Sequence, residues 1–257
     1  MKKKINCFIP FGNPEDTMQT VKELQASKLV NKIYLLSSAP GRKALPGCKC
    51  IHVKGLYSTK TMEKIAAKAA DADFILFYMK QTPLKLGLYA LERIAQVMKS
   101  DKKNGIVYAD RYQLINGELK QMPVIDYQLG SIRDDFDFGS LLLFKSSAFT
   151  EIADILCEEH EYEYAGLYAI RLFISCNYSI VHINEYLYTE IETDTRKSEE
   201  KQFDYVNPKN REVQIEMESA CTEYLKYIDA YLTHFSSRSV NLHNEEFEFE
   251  ASVIIPV

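Results

Sequence analysis

The 257-residue chain has no tryptophan, only 10 glycines and 8 prolines, and no excess of positive charge. Lysine and arginine total 31 against 36 aspartates and glutamates, a formal charge of −5, so nothing favours a phosphate backbone as partner and no nucleic-acid binding is expected. No apolar stretch approaches the roughly 20 residues of a membrane-spanning helix. The basic start, Met1-Lys2-Lys3-Lys4, leads into no long apolar run, because Pro10, Gly12, Asn13 and Pro14 interrupt it. A signal peptide is therefore not expected, and the reading is of a cytoplasmic protein. Gly-rich phosphate loops of the P-loop or dinucleotide type are also missing. The six cysteines, at 7, 48, 50, 157, 176 and 221, lie mostly in apolar segments. That scatter suits reduced, buried thiols better than a disulfide framework. Cys48, Cys50 and His52 would share one face of a strand, but no second cysteine pair stands at a zinc-like spacing, and no metal site is read there.

What is present is an ordinary globular composition, 46% hydrophobic and 26% charged, with 17 tyrosines and 13 phenylalanines for a core and for stacking surfaces. Over the first 190 or so residues, short apolar runs alternate with helix-period segments. This pattern predicts an α/β fold with a mostly parallel sheet flanked by helices. Strands are expected at 6–13, 32–38, 48–53, 71–79, 104–110, 138–144 and 178–183. Asn13 is placed to cap a helix with Pro14 at its first position and Glu15 and Asp16 in its first turn. A second helix is expected over 58–70. A third is expected to open at Thr82-Pro83 and to bury Leu88, Leu91, Ile94, Ala95 and Met98. Asn116-Gly117 is a hairpin signal. Domain organisation is read as 1–195, a helical extension over 196–235, a polar linker at 236–250, and a final apolar run, Ala251 to Val257.

In a parallel α/β sheet, ligands gather at the carboxyl ends of the strands. Ile9-Pro10-Phe11-Gly12-Asn13 closes the first strand and resembles the opening of family-2 glycosyltransferases. The likeness continues through the Tyr108-Ala109-Asp110 strand end, Arg171-Leu172 and Glu185-Tyr186-Leu187-Tyr188, over about residues 5–195. It implies a GT-A fold, a nucleotide-sugar donor and a glycan acceptor, in the setting of surface polysaccharide synthesis. Ala251-Ser-Val-Ile-Ile-Pro-Val257 matches the same opening, which implies the first strand of a second, truncated glycosyltransferase domain as a partner within a longer chain.

The departures from the family pattern decide the chemistry. Where the family carries an aspartate pair after its second strand, this chain has Ser37 and Ser38. Its Asp-x-Asp metal site is replaced by Met79-Lys80-Gln81-Thr82, so a divalent metal is not expected and no other cofactor is evident. An inverting transfer needs a base at the acceptor hydroxyl and positive charge on the departing diphosphate. The candidate bases are Asp137, Glu161 and Glu163, with Lys80 in the metal's place. Candidate substrate-binding residues are Pro10, Phe11, Asn13, Ser37, Lys80, Asp110 and Asp135. Each also has a structural reading: Asn13 as a helix cap, Asp110 as a turn residue, Lys80 and the 133–137 loop as solvated surface. Three functions stay open. The first is a metal-free glycosyltransferase, and the second a GT-A-like module that binds acceptor or supports a downstream catalytic domain. The third is a nucleotidyltransferase-like nucleotide-binding domain.

Overall fold

The computed structural model describes residues 4–192 and 210–232. The expected linker at 236–250 and the strand-like segment at 251–257 lie outside the described residues. The N-terminal half winds as expected. β1 (Ile5–Pro10) pairs in parallel with β2 (Val30–Ser37) and with β4 (Phe74–Tyr78), and β3 (Cys48–His52) adds to β2. Period-2 alternation sends each strand to two cores. From β1, Ile5, Cys7 and Ile9 face the helices α1 (Pro14–Ala26) and α3 (Ala90–Ser100). Phe8 faces the other way, with Phe77 of β4, toward α2 (Thr59–Ala66), α4 (Ser146–Glu159) and α5 (Gly166–Asn177). The molecule is a three-layer α/β/α stack, which is what strands buried on both faces require.

The C-terminal half is less regular. β8 (Leu141–Lys145) runs antiparallel to β4 and to β6 (Asn104–Ile115), and β6 continues as a parallel pair with β9 (Ser179–Ile191). The sheet order is β3-β2-β1-β4-β8-β6-β9-β5, with β7 (Glu118–Met122) paired to β6. Asn116 and Gly117 both take positive φ, 52° and 85°, so the expected hairpin turn forms between β6 and β7. The helix expected to open at Thr82-Pro83 does not. Leu84–Leu86 instead forms strand β5, antiparallel to β9, and α3 begins only after Tyr89. Sheet pairing offers Leu84 a buried partner strand, while Leu88, expected to face inward, stands 88% exposed on the turn.

Helix α6 (Arg211–Tyr227) packs on α5 through Ala220 and Tyr224, with Phe173 edge-on to both Tyr224 and Tyr227. It also supplies a cap. α5 has no side-chain cap of its own, and the Glu216 carboxylate accepts from the backbone N–H groups of Glu163, Tyr164 and Ala165 at 3.0, 2.7 and 3.1 Å. A carboxylate there satisfies orphan donors and meets the positive end of the helix dipole.

The α5 start also packs directly on backbone. A Cβ added at Gly166 would lie 2.5 Å from the Thr59 nitrogen and 2.7 Å from both the Ser58 carbonyl carbon and the Tyr57 oxygen. Gly166→Ala should therefore destabilise the fold by about 1–3 kcal/mol, despite alanine's better helix propensity. Denaturant unfolding tests this; an unchanged midpoint would show that the 57–59 backbone yields freely.

Candidate functional site

Strands β1, β4 and β6 deliver their carboxyl ends to one edge of the sheet, and the 123–140 segment crosses that edge before entering β8. The register of β6 against β9 shifts on both sides of Asp110, pairing Ala109 with Ile183 but Asp110 with Tyr186. Such a bulge re-aims side chains. Asp110 and Arg111, adjacent in sequence, serve two separate networks as a result.

Asp110 anchors the 123–140 segment. Its Oδ1 accepts from the Val124 N–H at 2.9 Å and lies 2.9 Å from His182 Nε2, while His182 Nδ1 lies 2.7 Å from Asp126 Oδ1. Tyr108 stacks on the His182 ring, donates to the Ile125 carbonyl and accepts from the Tyr127 N–H. Asp110 is thus wholly buried, with Oδ1 engaged by its own chain and Oδ2 left without a hydrogen-bond partner.

Arg111 belongs to a buried ionic cluster. Its Nε donates to Glu190 at 3.0 Å and its Nη2 to Asp137 at 3.0 Å. Glu190 is only 1% exposed. It also accepts from Gln113 at 2.6 Å and from the Ser140 hydroxyl, and it pairs with Lys80 at 2.9 Å. Burial alone would raise the Glu190 pKa, but the hydrogen bonds from Ser140, Gln113 and Lys80 outweigh it and hold the carboxyl below its ordinary value. Burial pulls Arg111 down, the charge of Asp137 pushes it up, and the net direction is up.

Next to the cluster opens a cavity of about 430 Å³. Aromatic and apolar walls come from Tyr57, Phe136, Tyr164, Tyr168 and Met79, and polar groups from Arg111, Arg171 and the aspartates at 134, 135 and 137. Asp137 also accepts from the Gly139 N–H at 2.8 Å. Asp135 is held by Arg133, with two contacts of 2.8 and 2.6 Å. Asp137 and Asp135 are therefore brought together.

Glu161 and Glu163 are not. They line a different depression beside α2, where Glu161 pairs with Lys60. Lys80 sits at the β4 end and is committed to Glu190 and, at 3.5 Å, to Glu192. Asn13 caps α1, accepting from the Glu15 N–H at 2.8 Å. Pro10 pairs with Leu36 in the ladder, and the buried Ser37 hydroxyl accepts from the Ala39 N–H at 3.2 Å. Phe11 is covered. The Arg42 guanidinium lies 3.5 Å from its ring centre and donates to the carbonyls of Phe11 and Gly12 at 2.7 and 2.6 Å.

Sequence reading did not single out Arg111, Glu190, Glu216, Arg42 or His182. For Arg111 a partial signal existed, since it follows the apolar run 106–109 within one strand. For the others no local pattern points to the partner. A divalent metal does not fit the β4 end: Met79–Thr82 offers no carboxylate, and an ammonium occupies the place. Among the described residues no group of three His, Cys, Asp or Glu side chains is arranged to hold an ion.

Glu190 sets a pH dependence. A carboxyl whose folded pKa is depressed contributes stability above its unfolded value, here 4.5, and that stability is lost as pH falls through the folded value. Glu190→Gln should flatten the loss of stability below pH 4.5 relative to wild type. At neutral pH it should destabilise by about 1.5–3 kcal/mol, because it removes the charged acceptor that Arg111 and Lys80 share, leaving them Asp137 and Glu192 as counter-charges. Unfolding free energies measured across pH 2–7 check both arms; parallel curves for the two proteins would show that Glu190 carries no linkage.

No protein-family model matches the sequence, and no curated protein matches it. Among solved structures, the chain is similar to a mycobacterial protein known from its crystal structure, with a TM-score of 0.52 at 12% identity over 86% of this chain and 75% of that one. It is also similar to glucosyl-3-phosphoglycerate synthase from Mycobacterium tuberculosis in complex with phosphoglyceric acid, with a TM-score of 0.50 at 13% identity over 86% and 80% of the two chains. Likeness to Francisella tularensis 2-C-methyl-D-erythritol 4-phosphate cytidylyltransferase is looser, at a TM-score of 0.46 and 10% identity over 79% and 98%, and carries no argument. At these identities the likeness is one of fold. The fold is GT-A-like, a curled mixed sheet between helices.

Proposed function

We propose that this chain is a glycosyltransferase-type domain that holds a glycan acceptor and has no metal–diphosphate donor subsite of its own. One observation carries the reading. Lys80 stands where the family resemblance implies a metal-binding carboxylate, and its ammonium is already committed to Glu190 and Glu192. Phe11, a candidate substrate-binding residue, is also covered from within, since Arg42 lies over its ring and takes the carbonyls of Phe11 and Gly12.

The cavity, by contrast, offers what a sugar needs. Tyr57, Phe136 and Tyr164 line it with aromatic surface on which a pyranose could stack, and Asp135 and Asp137 line it with carboxylates for its hydroxyls. Of the three candidate bases, Asp137 alone shares the cavity with Asp135. The downstream domain proposed to begin near Ala251 would supply the donor chemistry.

A second reading is metal-free transfer by this domain, with Lys80 offsetting the diphosphate and Asp137 as the base. In its favour, Lys80 and Asp137 converge on the same Arg111–Glu190 cluster, so both groups lie at one end of the sheet.

Calorimetric titration with UDP, GDP and their sugar conjugates, each with and without manganese, separates the two. The acceptor-holding reading expects no binding up to about 1 mM, a ceiling near 4 kcal/mol of affinity, in either condition. Nucleotide binding in the absence of metal would overturn it in favour of the second reading.

A further inference from the structure

We propose that the acceptor held in this cavity is acidic, bearing a carboxylate or phosphate group that accepts a hydrogen bond from Arg111. The proposal rests on the reading of the cavity as an acceptor site and adds the charge class of the ligand.

Arg111 has an unmade bond. Its Nε and Nη2 are taken by Glu190 and Asp137, while Nη1 is buried with no hydrogen-bond partner. A buried charged donor left unsatisfied is costly, and the groups that match a guanidinium edge are carboxylate and phosphate oxygens. Gly139 lies beside this nitrogen: a Cβ there would sit 3.5 Å from Nη1, an ordinary contact, and would clash with the Tyr188 hydroxyl. Its φ of +72° favours glycine independently.

Arg171, from α5, lines the same cavity and is 6% exposed. Its guanidinium donates to the carbonyls of Ser131 and Arg133 at 3.0 and 2.8 Å, and sits 4.8 Å from the Tyr168 ring centre and 5.3 Å from that of Phe138. No carboxylate is in ion-pair contact with it among the described residues. Carbonyls and ring faces solvate the cation without compensating it, and buried charges are ordinarily paired. The acids of the cavity do not fill the role. Asp137 is engaged by Arg111 and Asp135 by Arg133, which leaves only Asp134 acting on Arg171 from beyond contact. A neutral sugar leaves Arg171 without a contacting anion; an acidic one supplies that contact or the acceptor that Arg111 Nη1 lacks, within a lining of two arginines and three aspartates. Arg171 lies against the Phe138 ring and Arg111 Nη1 lies near Gly139, the next residue, so the two cations line one stretch of the cavity wall.

Ligand-observed saturation-transfer NMR and calorimetry on the full chain, with D-glucose, D-glucuronate and D-glucose 6-phosphate, test this. At low salt one or both acids should bind at least about tenfold more tightly than glucose, and the advantage should shrink at about 0.5 M sodium chloride. Preference for glucuronate assigns a carboxylate; preference for the phosphate assigns a phosphoryl group. Arg111→Gln should reduce the affinity for the acids toward that for glucose. If that variant fails to fold, the wild-type panel and its salt dependence still decide. Glucose binding as tightly as both acids overturns the acidic acceptor and leaves the acceptor site standing. Binding of none of the three overturns the acceptor reading, and this inference with it.

Discussion

Near the end of β9, the Glu190 carboxylate gathers Arg111 and Gln113 from β6, Ser140 from the start of β8 and Lys80 from the end of β4. A lone ion at that depth would be prohibitive, so these groups have to arrive together or not at all. Their arrival fixes β6 against β9 at the bulge, brings the start of β8 to the same edge and ties down the chain leaving β4. The cavity wall is built on that arrangement: Asp137 is positioned by Arg111, and Gly139 turns the chain between them.

The same cluster explains how a GT-A-like fold can stand without the carboxylates that its resemblance implies. The β4 end of this chain carries a charge of the opposite sign. Here the charge is a lysine, neutralised from β9 rather than by a ligand. Glu190 and Glu192 lie behind the strand end, where they pair with Lys80. The fold persists because it depends on apolar strands and their two cores; the chemistry at its edge is free to change.

Much of the fold was legible in the sequence because it is local. Buried runs such as Phe74–Tyr78 read as strands, Asn13-Pro14 reads as a helix start, and Asn116-Gly117 reads as a hairpin turn. β5 was not legible: Leu84-Lys85-Leu86 is too short to show a period, and its strand character comes from β9, about a hundred residues away. The antiparallel direction of β8 is likewise set by tertiary pairing. At the site, order along the chain placed Asp135 and Asp137 before a strand, and the structure gathers them in one cavity. Glu161 and Glu163 lie elsewhere because α5 begins immediately after them, and it is Glu216, more than fifty residues on, that sits at that helix start. Arg111 and Glu190 are separated by 79 positions, a relation that no local pattern encodes.

Glu216 carries a consequence for how the chain divides. Sequence composition draws a border near residue 195, where the α/β pattern gives way to polar residues. Energetically no border runs there, since the start of α5 borrows its cap from a helix on the far side. A unit cut at 195 would keep every strand and lose the termination of one of its own helices, on the flank where Tyr164 and Leu167 meet the cavity. The appendage packs as part of the domain's second layer, and the unit for engineering is the two together.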